Sequence, residues 1–204
     1  MRNMKKYNAL DFKTKLEKHK QWVKTGGRVG SQLSLDEMDL TEKYNEDFLI
    51  EQSFLTACNF SNVVFEKTDF YCAEQYSCIF NNAKFKECDF YKATLEYCDI
   101  NQVELIDCKF GRTDFYETNF KNSSFKNCSF VGISLMHCDL SNSILDNIDF
   151  DYSYFLEVKV NGTRFINPKN LEKATKLSLD VSSDETPHII EGEEAIKWIL
   201  EHNQ

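Results

Sequence analysis

The protein has 204 residues and a formal net charge of −9, which argues against general binding to nucleic acid or to an anionic membrane surface. Glycine and proline number only 7 and 2, so tight turns of the usual kind cannot be frequent. No stretch approaches about 18 consecutive apolar residues, and residues 1–12 lack the apolar core of a signal peptide. Both observations favour a cytoplasmic protein without a membrane span.

The first predicted element is a helix over residues 11–24. Asp11 suits the N-cap position, and the pair at 26–27 (GG) stops the helical pattern. One face of this helix would be formed by Phe12, Leu16, His19 and Val23. Residues 1–30 contain nine Lys or Arg and two Asp or Glu. We interpret this basic segment as a solvated cap rather than as a nucleic-acid-binding arm.

A pattern with a period of five residues follows over residues 33–165. Every fifth residue from Leu35 is large and apolar, except for Asn45 and Gln75. Two positions earlier in each pentad, every residue from Cys58 onward is small or β-branched, and seven of the eight cysteines stand there. Helices repeat about every 3.6 residues and strands every two, so neither explains a strict period of five. The backbone must instead turn a corner in every pentad.

Pentads such as residues 83–87 (AKFKE) and 88–92 (CDFYK) resemble the repeat of the pentapeptide-repeat family. In that repeat a small residue and a polar residue precede a central Leu or Phe, and two variable polar residues follow it. The resemblance implies an all-β solenoid, namely a right-handed quadrilateral β-helix with four pentads per coil and short helical N- and C-terminal caps. Stacked coils would bury a continuous column of large and small side chains. Nearly seven coils at ~4.8 Å per coil would form a rod about 30 Å long.

The same resemblance divides the chain into three parts. Residues 1–30 would form a basic helical leader or cap, residues 31–167 the β-helix, and residues 168–204 a C-terminal loop and helix. The apolar pattern of that helix covers residues 191–202, and the helix either caps the coil or pairs with a second copy. Quinolone-resistance members of the family dimerise through such segments. The resemblance therefore also implies a homodimer, for which the candidate contacts are Ile196, Ile199 and Leu200.

Residues twenty positions apart would stack in neighbouring coils, which places the cysteines in two ladders. One inner edge would carry Cys58, Cys78, Cys98 and Cys138, and another would carry Cys88, Cys108 and Cys128. A zinc site needs ligands that converge tetrahedrally, whereas these side chains would point in parallel. Disulfides need closer Cβ atoms than the spacing between coils provides. We therefore expect buried, inert thiols and no metal or cofactor, with Cys72 alone in an outward position.

Catalytic motifs are not found in the sequence. The four histidines are scattered, and there is no Ser-His-Asp arrangement, phosphate-binding loop or zinc-protease motif. The sequence therefore predicts a protein that is not an enzyme and that acts through its surface.

One of the four faces of the predicted rod is distinguished by its charge. Residues 33–37 and the matching stretches every twenty residues up to 153–157, called the acidic face below, contain no Lys or Arg but seven acidic residues: Asp36, Glu37, Glu74, Glu96, Asp114, Glu117 and Glu157. Acidic groups interleaved with aromatic side chains are typical of a protein interface, and the same residues also suit a face that keeps the rod soluble. The candidate binding residues are Glu74, Tyr76, Glu96, Tyr97, Asp114, Tyr116, Glu117, Met136, Tyr154 and Glu157.

Two hypotheses for the function stay open. In the first, the rod mimics duplex DNA and occupies the DNA-binding surface of a type II topoisomerase, DNA gyrase or topoisomerase IV. This is implied by the Phe- and Cys-rich repeats, which resemble the quinolone-resistance members of the family. The chain lacks the inserted loops of the Qnr-type members and is more similar in this respect to the mycobacterial type. In the second, the rod is a general protein-binding scaffold, such as a regulator, immunity or assembly factor. Neither hypothesis involves direct binding of nucleic acid or of a membrane.

Overall fold

The repeat forms a stack of coils in the computed structural model, which describes residues 9–41, 49–184 and 186–202. Asn45, predicted at a large inward position, lies outside the described residues. In chain order the described elements are helix α1 (Ala9–Lys24), strands β1 (Ser34–Asp36), β2 (Phe54–Thr56), β3 (Val64–Glu66), β4 (Glu74–Tyr76), β5 (Lys84–Lys86), β6 (Thr94–Glu96), β7 (Glu104–Ile106), β8 (Asp114–Tyr116), β9 (Ser124–Lys126), β10 (Ser134–Met136), β11 (Ile144–Asp146), β12 (Tyr154–Lys159) and β13 (Arg164–Ile166), a 3-10 helix (Leu171–Lys173), strands β14 (Lys176–Asp180) and β15 (Ile189–Glu191), and helix α2 (Gly192–Glu201).

The strands stack into two sheets on opposite sides of the rod. The first sheet has the order β1-β2-β4-β6-β8-β10-β12-β14-β15, and the second has the order β13-β11-β9-β7-β5-β3. Strands of neighbouring coils run parallel with paired residues twenty positions apart, as in the row Leu55, Gln75 and Leu95. On the other two sides, neighbouring coils are connected by isolated β-bridges, such as the one between Asp69 and Asp89. Four sides and twenty residues per coil confirm the predicted quadrilateral β-helix.

The corners of the coils are made by left-handed residues, most of which are not glycine. Lys67, Tyr97 and Glu117 have φ angles of 52°, 54° and 46°. This conformation costs an ordinary side chain roughly 1 kcal/mol. Each corner gains a hydrogen bond to the next coil in return, such as Lys67 N–H to the Lys86 carbonyl (2.8 Å) and Glu117 N–H to the Met136 carbonyl (2.9 Å). The chain therefore turns at every pentad with few glycines.

Phenylalanine rings fill the axis of the rod. Rings in successive coils stack nearly parallel toward the N-terminal end, with centroids 5.0 Å apart for Phe60 and Phe80 and 4.3 Å apart for Phe70 and Phe90. They meet edge to face further along, as Phe110 and Phe130 do. The large residues at the repeat positions are almost completely inaccessible to solvent. Aromatic pairs at these distances add to the stabilisation that burial itself provides.

Gln75 interrupts this apolar column. Its side chain is 0% exposed, and neither amide atom has a hydrogen-bond partner among the described residues. Gln75 nevertheless keeps its register between Leu55 and Leu95, so the strand does not bulge to accommodate it. Burying an amide without partners lowers the free energy of unfolding, because the amide loses its hydrogen bonds to water and gains none in the fold.

Replacing Gln75 by leucine should raise the free energy of unfolding by about 2 kcal/mol, because two unsatisfied polar atoms are removed and the row of leucines becomes continuous. Urea unfolding of the purified chain measures this change. Gln21→Leu is the control, since Gln21 is exposed on α1 and its replacement should change stability little. A clear loss of stability in Gln75→Leu would show that the amide has partners in solution.

Helix α1 caps the first coil through its predicted apolar face. Phe12, Leu16 and His19 are buried there. The imidazole of His19 joins the helix to the coil, because its Nδ1 accepts a hydrogen bond from Leu33 N–H (3.0 Å) and its Nε2 lies 2.9 Å from the Glu51 carbonyl oxygen. The predicted helix over 11–24 is thus confirmed, with its start two residues earlier.

The C-terminal end is covered by a short hairpin and α2. Strand β14 continues the first sheet after β12, with a register shift between Phe155 and Val158, and β15 then pairs antiparallel to β14. Helix α2 buries Ala195 and Ile199 against this end. The helix was predicted from its apolar pattern, whereas β14 and β15 were not, because the five-residue pattern stops before them.

Candidate protein-binding face

The acidic face is the outward side of the first sheet together with the corner residues that follow its strands. Its side chains stand in three columns that run along the rod. The register places Glu74, Asp114 and Tyr154 in one column, and Tyr76 and Glu96 in the next. The second column also contains Tyr116 and Met136, and the corner column contains Tyr97, Glu117 and Glu157. The structure thus brings all ten candidate residues to one face, while their role in binding stays a prediction.

The carboxylates of this face have no Lys or Arg among them. On the opposite face of the rod, acidic and basic residues pair across coils, as in Lys86 with Glu66 (2.9 Å) and Lys84 with Glu104 (3.2 Å). None of the seven stretches that form the acidic face, from 33–37 to 153–157, contains Lys or Arg. Beyond these stretches the sheet contains Lys159 at the end of β12 and Lys176 in β14, whose Nζ lies 3.2 Å from Glu191. The face is therefore acidic, with no Lys or Arg of its own to balance its carboxylates.

Aromatic rings lie in contact between these carboxylates. The rings of Tyr97 and Tyr116 meet edge to face with centroids 5.5 Å apart, and the Tyr116 ring meets the His137 ring in the same way at 5.8 Å. His137 Nδ1 lies 3.5 Å from a Glu157 carboxylate oxygen. Tyr97 is 52% exposed, so part of this row is available to a partner. The sequence analysis left His137 out of the site, although it occupies the same corner position as Tyr97.

Two phenols of this face, those of Tyr76 and Tyr116, have raised pKa values. The pKa of Tyr76 is raised by burial first and then by the negative charges of Glu74 and Glu96. The pKa of Tyr116 is raised chiefly by its hydrogen bond to Glu117. The Tyr76 hydroxyl donates to a Glu74 carboxylate oxygen (3.3 Å), so its single proton is already used within the face. The proton of the Tyr116 hydroxyl is used in the same way by Glu117. The face therefore offers a partner mainly hydrogen-bond acceptors beside apolar ring surface.

The inner cysteines are buried, as predicted, and they have a structural role. Their thiols donate to carbonyls of the preceding coil, for example Cys98 to Gln75 (3.5 Å) and Cys88 to Phe65 (3.4 Å). Several hydroxyls at the same repeat position make the equivalent bond, such as Thr113 to the Phe90 carbonyl (2.7 Å) and Ser143 to the Phe120 carbonyl (2.8 Å). Burial raises the pKa of the Cys138 thiol to about 12, which disfavours the reactive thiolate. Cys72 is half-buried at an outward position, and all eight cysteines are free thiols.

Replacing Cys98 by alanine should leave the fold intact and lower the free energy of unfolding by about 1 kcal/mol, because one weak hydrogen bond and a small buried group are lost. Cys98→Ser should cost less, since the hydroxyl can keep the bond to the Gln75 carbonyl. Thermal unfolding of the three proteins measures both changes. Stoichiometric zinc in the purified protein would contradict the structural role.

The three candidate dimer contacts differ in accessibility. Ile199 is 0% exposed in the single chain, Ile196 is half-buried, and Leu200 is 53% exposed. Ile199 therefore packs within its own chain, and only Leu200 presents most of its side chain to solvent. The homodimer stays a prediction.

None of the described helices has the length and hydropathy needed to span a membrane. No group of three or more His, Cys, Asp or Glu side chains in the described part of the chain is arranged to hold a metal ion.

The chain is similar to several solved structures. No curated protein matches the sequence. Among solved structures, HetL from the cyanobacterium Nostoc, a pentapeptide repeat protein involved in heterocyst differentiation regulation, is 13% identical, with coverage of 82% of this chain and 97% of that chain and a TM-score of 0.37. A pentapeptide repeat protein from the Arabidopsis thaliana thylakoid lumen is 15% identical, with coverage of 72% and 90% and a TM-score of 0.41. QnrB1, a plasmid-mediated fluoroquinolone resistance protein, is 13% identical, with coverage of 83% and 96% and a TM-score of 0.23.

The family assignment comes from the sequence itself. The model of the pentapeptide repeat region matches residues 53–135 and 98–174, which together span more than half of the chain. The matched residues include β2 to β13 and the inner Phe, Leu and Cys positions described above. The chain belongs to the pentapeptide-repeat family.

Proposed function

We propose that the protein is a non-catalytic rod that binds another protein through its acidic face. The observation that carries this proposal is the composition of that face, which presents seven carboxylates, no Lys or Arg, and a row of contacting rings on a regular sheet. A patch of one charge sign steers a partner of opposite charge, and aromatic side chains supply contact area once the partner has docked. The partner should therefore present a basic surface with apolar pockets.

A more specific proposal is that the partner is a type II topoisomerase, DNA gyrase or topoisomerase IV, and that the rod imitates duplex DNA and protects the enzyme from quinolones. Duplex DNA carries one negative charge per about 1.7 Å, so about 18 charges would match a rod of about 30 Å. The acidic face provides seven carboxylates along the same axis. Such mimicry would be partial in charge and would depend on the rings and hydrogen-bonding groups for the rest of the contact.

A general protein-binding scaffold is the second candidate. Its support is the half-buried Met136 and the exposed ring of Tyr97, which have no counterpart on a phosphate backbone. Methionine and tyrosine are enriched at protein interfaces. This scaffold would act as a regulator, immunity or assembly factor, with the same face in contact with its partner.

A competition assay separates the two candidates. Purified gyrase is incubated with the protein and labelled duplex DNA, and both DNA binding and supercoiling are measured over a range of salt concentrations. Under mimicry the protein displaces the DNA and inhibits supercoiling, and both effects weaken as salt rises. Failure to bind gyrase and topoisomerase IV at low salt would rule out mimicry. The scaffold proposal would then depend on the charge-reversal variants described in the Discussion.

A further inference from the structure

A recess of about 650 Å³ lies at the corner of the rod that precedes the acidic face. Tyr91 and Tyr152 line its two ends. They occupy adjacent corner columns about three coils apart, which corresponds to roughly 14 Å at the spacing of stacked strands. Gly111 and Gly132 lie between them and contribute no side chain. The volume falls within the range of about 300–1,000 Å³ that is usual for small-molecule sites.

The two glycines create this opening, and the turn geometry alone requires neither of them. Gly132 has a φ angle of 69°, but Arg112 and Tyr152 hold the same corner position in the neighbouring coils with φ angles of 55° and 54°. Gly111 is not left-handed, and a Cβ atom there would lie 2.9 Å from Cδ2 of Tyr91. The Tyr91 ring therefore lies against the bare backbone of Gly111.

Tyr91 ends a short ladder of stacked rings. Its ring is nearly parallel to that of Tyr71, with centroids 6.1 Å apart. The next residue of this column is Gly111, so the ladder is interrupted where the recess begins. Tyr152, at the other end, is 68% exposed. The recess thus has an aromatic side chain at each end, and its floor is open at Gly132, where a flat ligand meets backbone without a side chain.

Positive charge is concentrated beside this recess in a protein that is acidic overall. Lys109 and Arg112 line it, and Lys92 lies in the preceding coil with its Nζ 5.4 Å from the centre of the Tyr91 ring. Within the described part of the chain, neither Lys109 nor Arg112 forms an ion pair with an acidic residue. The carboxylate of Asp89 also lines the recess and accepts a hydrogen bond from the Tyr91 N–H (2.9 Å). The two cations are therefore available to an anion.

We propose that this recess binds a small molecule that carries a flat aromatic ring and a phosphate group, as a nucleoside monophosphate does. The ring would stack on a tyrosine, since all four nucleobases stack on aromatic side chains. The phosphate would pair with Arg112, whose fork of N–H donors matches phosphate oxygens, and with Lys109. This site is separate from the acidic face and does not depend on what binds there.

The test is a calorimetric titration of the full chain with AMP, GMP, CMP and UMP, together with adenosine and ribose 5-phosphate. We expect saturable binding of AMP, with adenosine and ribose 5-phosphate each at least tenfold weaker because each lacks one of the two recognised groups. Absence of saturable binding by all four monophosphates at millimolar concentration would overturn the proposal. Ribose 5-phosphate that binds as tightly as AMP would overturn it as well, because the tyrosines would then contribute nothing.

Variants locate the site. Arg112→Gln and Tyr152→Ala should each weaken AMP binding at least tenfold. Their matched controls are Lys67→Gln and Tyr97→Ala, which change the same left-handed corner position elsewhere on the rod and should leave the affinity unchanged. Equal losses in the controls, or unchanged binding in Arg112→Gln and Tyr152→Ala, would show that AMP binds outside the recess.

Discussion

Changing Glu96, Asp114 and Glu117 to lysine in one variant should abolish binding of the partner and leave the fold intact. The three substitutions convert three negative charges on the acidic face into three positive ones, so a basic partner is repelled where it was attracted. The backbone should accept them, because lysine already occupies the equivalent outward positions at Lys86, Lys84 and Lys67. Binding is measured by surface plasmon resonance at several salt concentrations, and folding by circular dichroism.

The control variant makes the same number of reversals on the opposite face, at Glu66, Glu87 and Asp107. These residues lie among lysines, with Glu66 paired to Lys86 and Glu87 near Lys67. Exposed pairs of this kind contribute little to stability, so the control should fold and should bind nearly as well as the native chain. Equal loss of binding in both variants would show that the acidic face has no special role.

Replacing His19 by alanine should lower the free energy of unfolding by about 3 kcal/mol. The change leaves the Leu33 N–H and the Glu51 carbonyl without their partner at the junction between α1 and the first coil. Each buried group that loses its hydrogen bond costs roughly 1–3 kcal/mol. The Trp22 ring stacks on His19 with centroids 6.0 Å apart, so its fluorescence reports locally on the cap. Measurements in a Trp198→Phe background isolate that signal.

The same histidine should make the cap sensitive to acid. The pKa of His19 is lowered by burial, while its hydrogen bond to the Glu51 carbonyl acts in the opposite direction. Because the pKa is lower in the folded chain, the unfolded chain takes up a proton first as the pH falls below about 6.5. The contribution of neutral His19 is therefore complete above that pH and is lost as the pH falls through the folded pKa. His19→Gln should remove this part of the pH dependence, and an unchanged pH profile in that variant would contradict the assignment.

The core of the fold could be predicted from the sequence because one rule governs it. Each pentad places one large and one small residue inside, and this rule indicates a corner in every pentad over residues 33–165. The four sides per coil, and with them the register of twenty residues, were implied by the resemblance to the pentapeptide-repeat family. Strands β14 and β15 could not be predicted in this way, since they follow the end of the period and are held by pairing to β12 and by α2. Short strands without a repeat give little signal, because their pairing depends on distant residues.

The candidate site was predictable in position but not in its contacts. Arithmetic in steps of twenty placed Tyr97, Tyr116 and Glu157 on one face. It could not show that His137 joins the Tyr116 ring to the Glu157 carboxylate, because such contacts depend on side-chain rotamers rather than on position. The recess between Tyr91 and Tyr152 was missed for a different reason. The recess exists because two of its lining residues are glycines without side chains. Glycines do not stand out in a pattern of large and charged residues.

The interior of the rod repeats every five residues, whereas a face returns only every twenty. An insertion or deletion of one whole pentad would therefore leave the packing rule inside the rod unchanged but would rotate every later residue by a quarter turn. After such an event at the middle of the chain, Glu117 and Glu157 would lie on a different side from Glu74 and Glu96. This change does not affect folding, but it alters the surface that a binding partner contacts. Packing in the interior therefore neither requires nor maintains the alignment of the acidic face over seven coils.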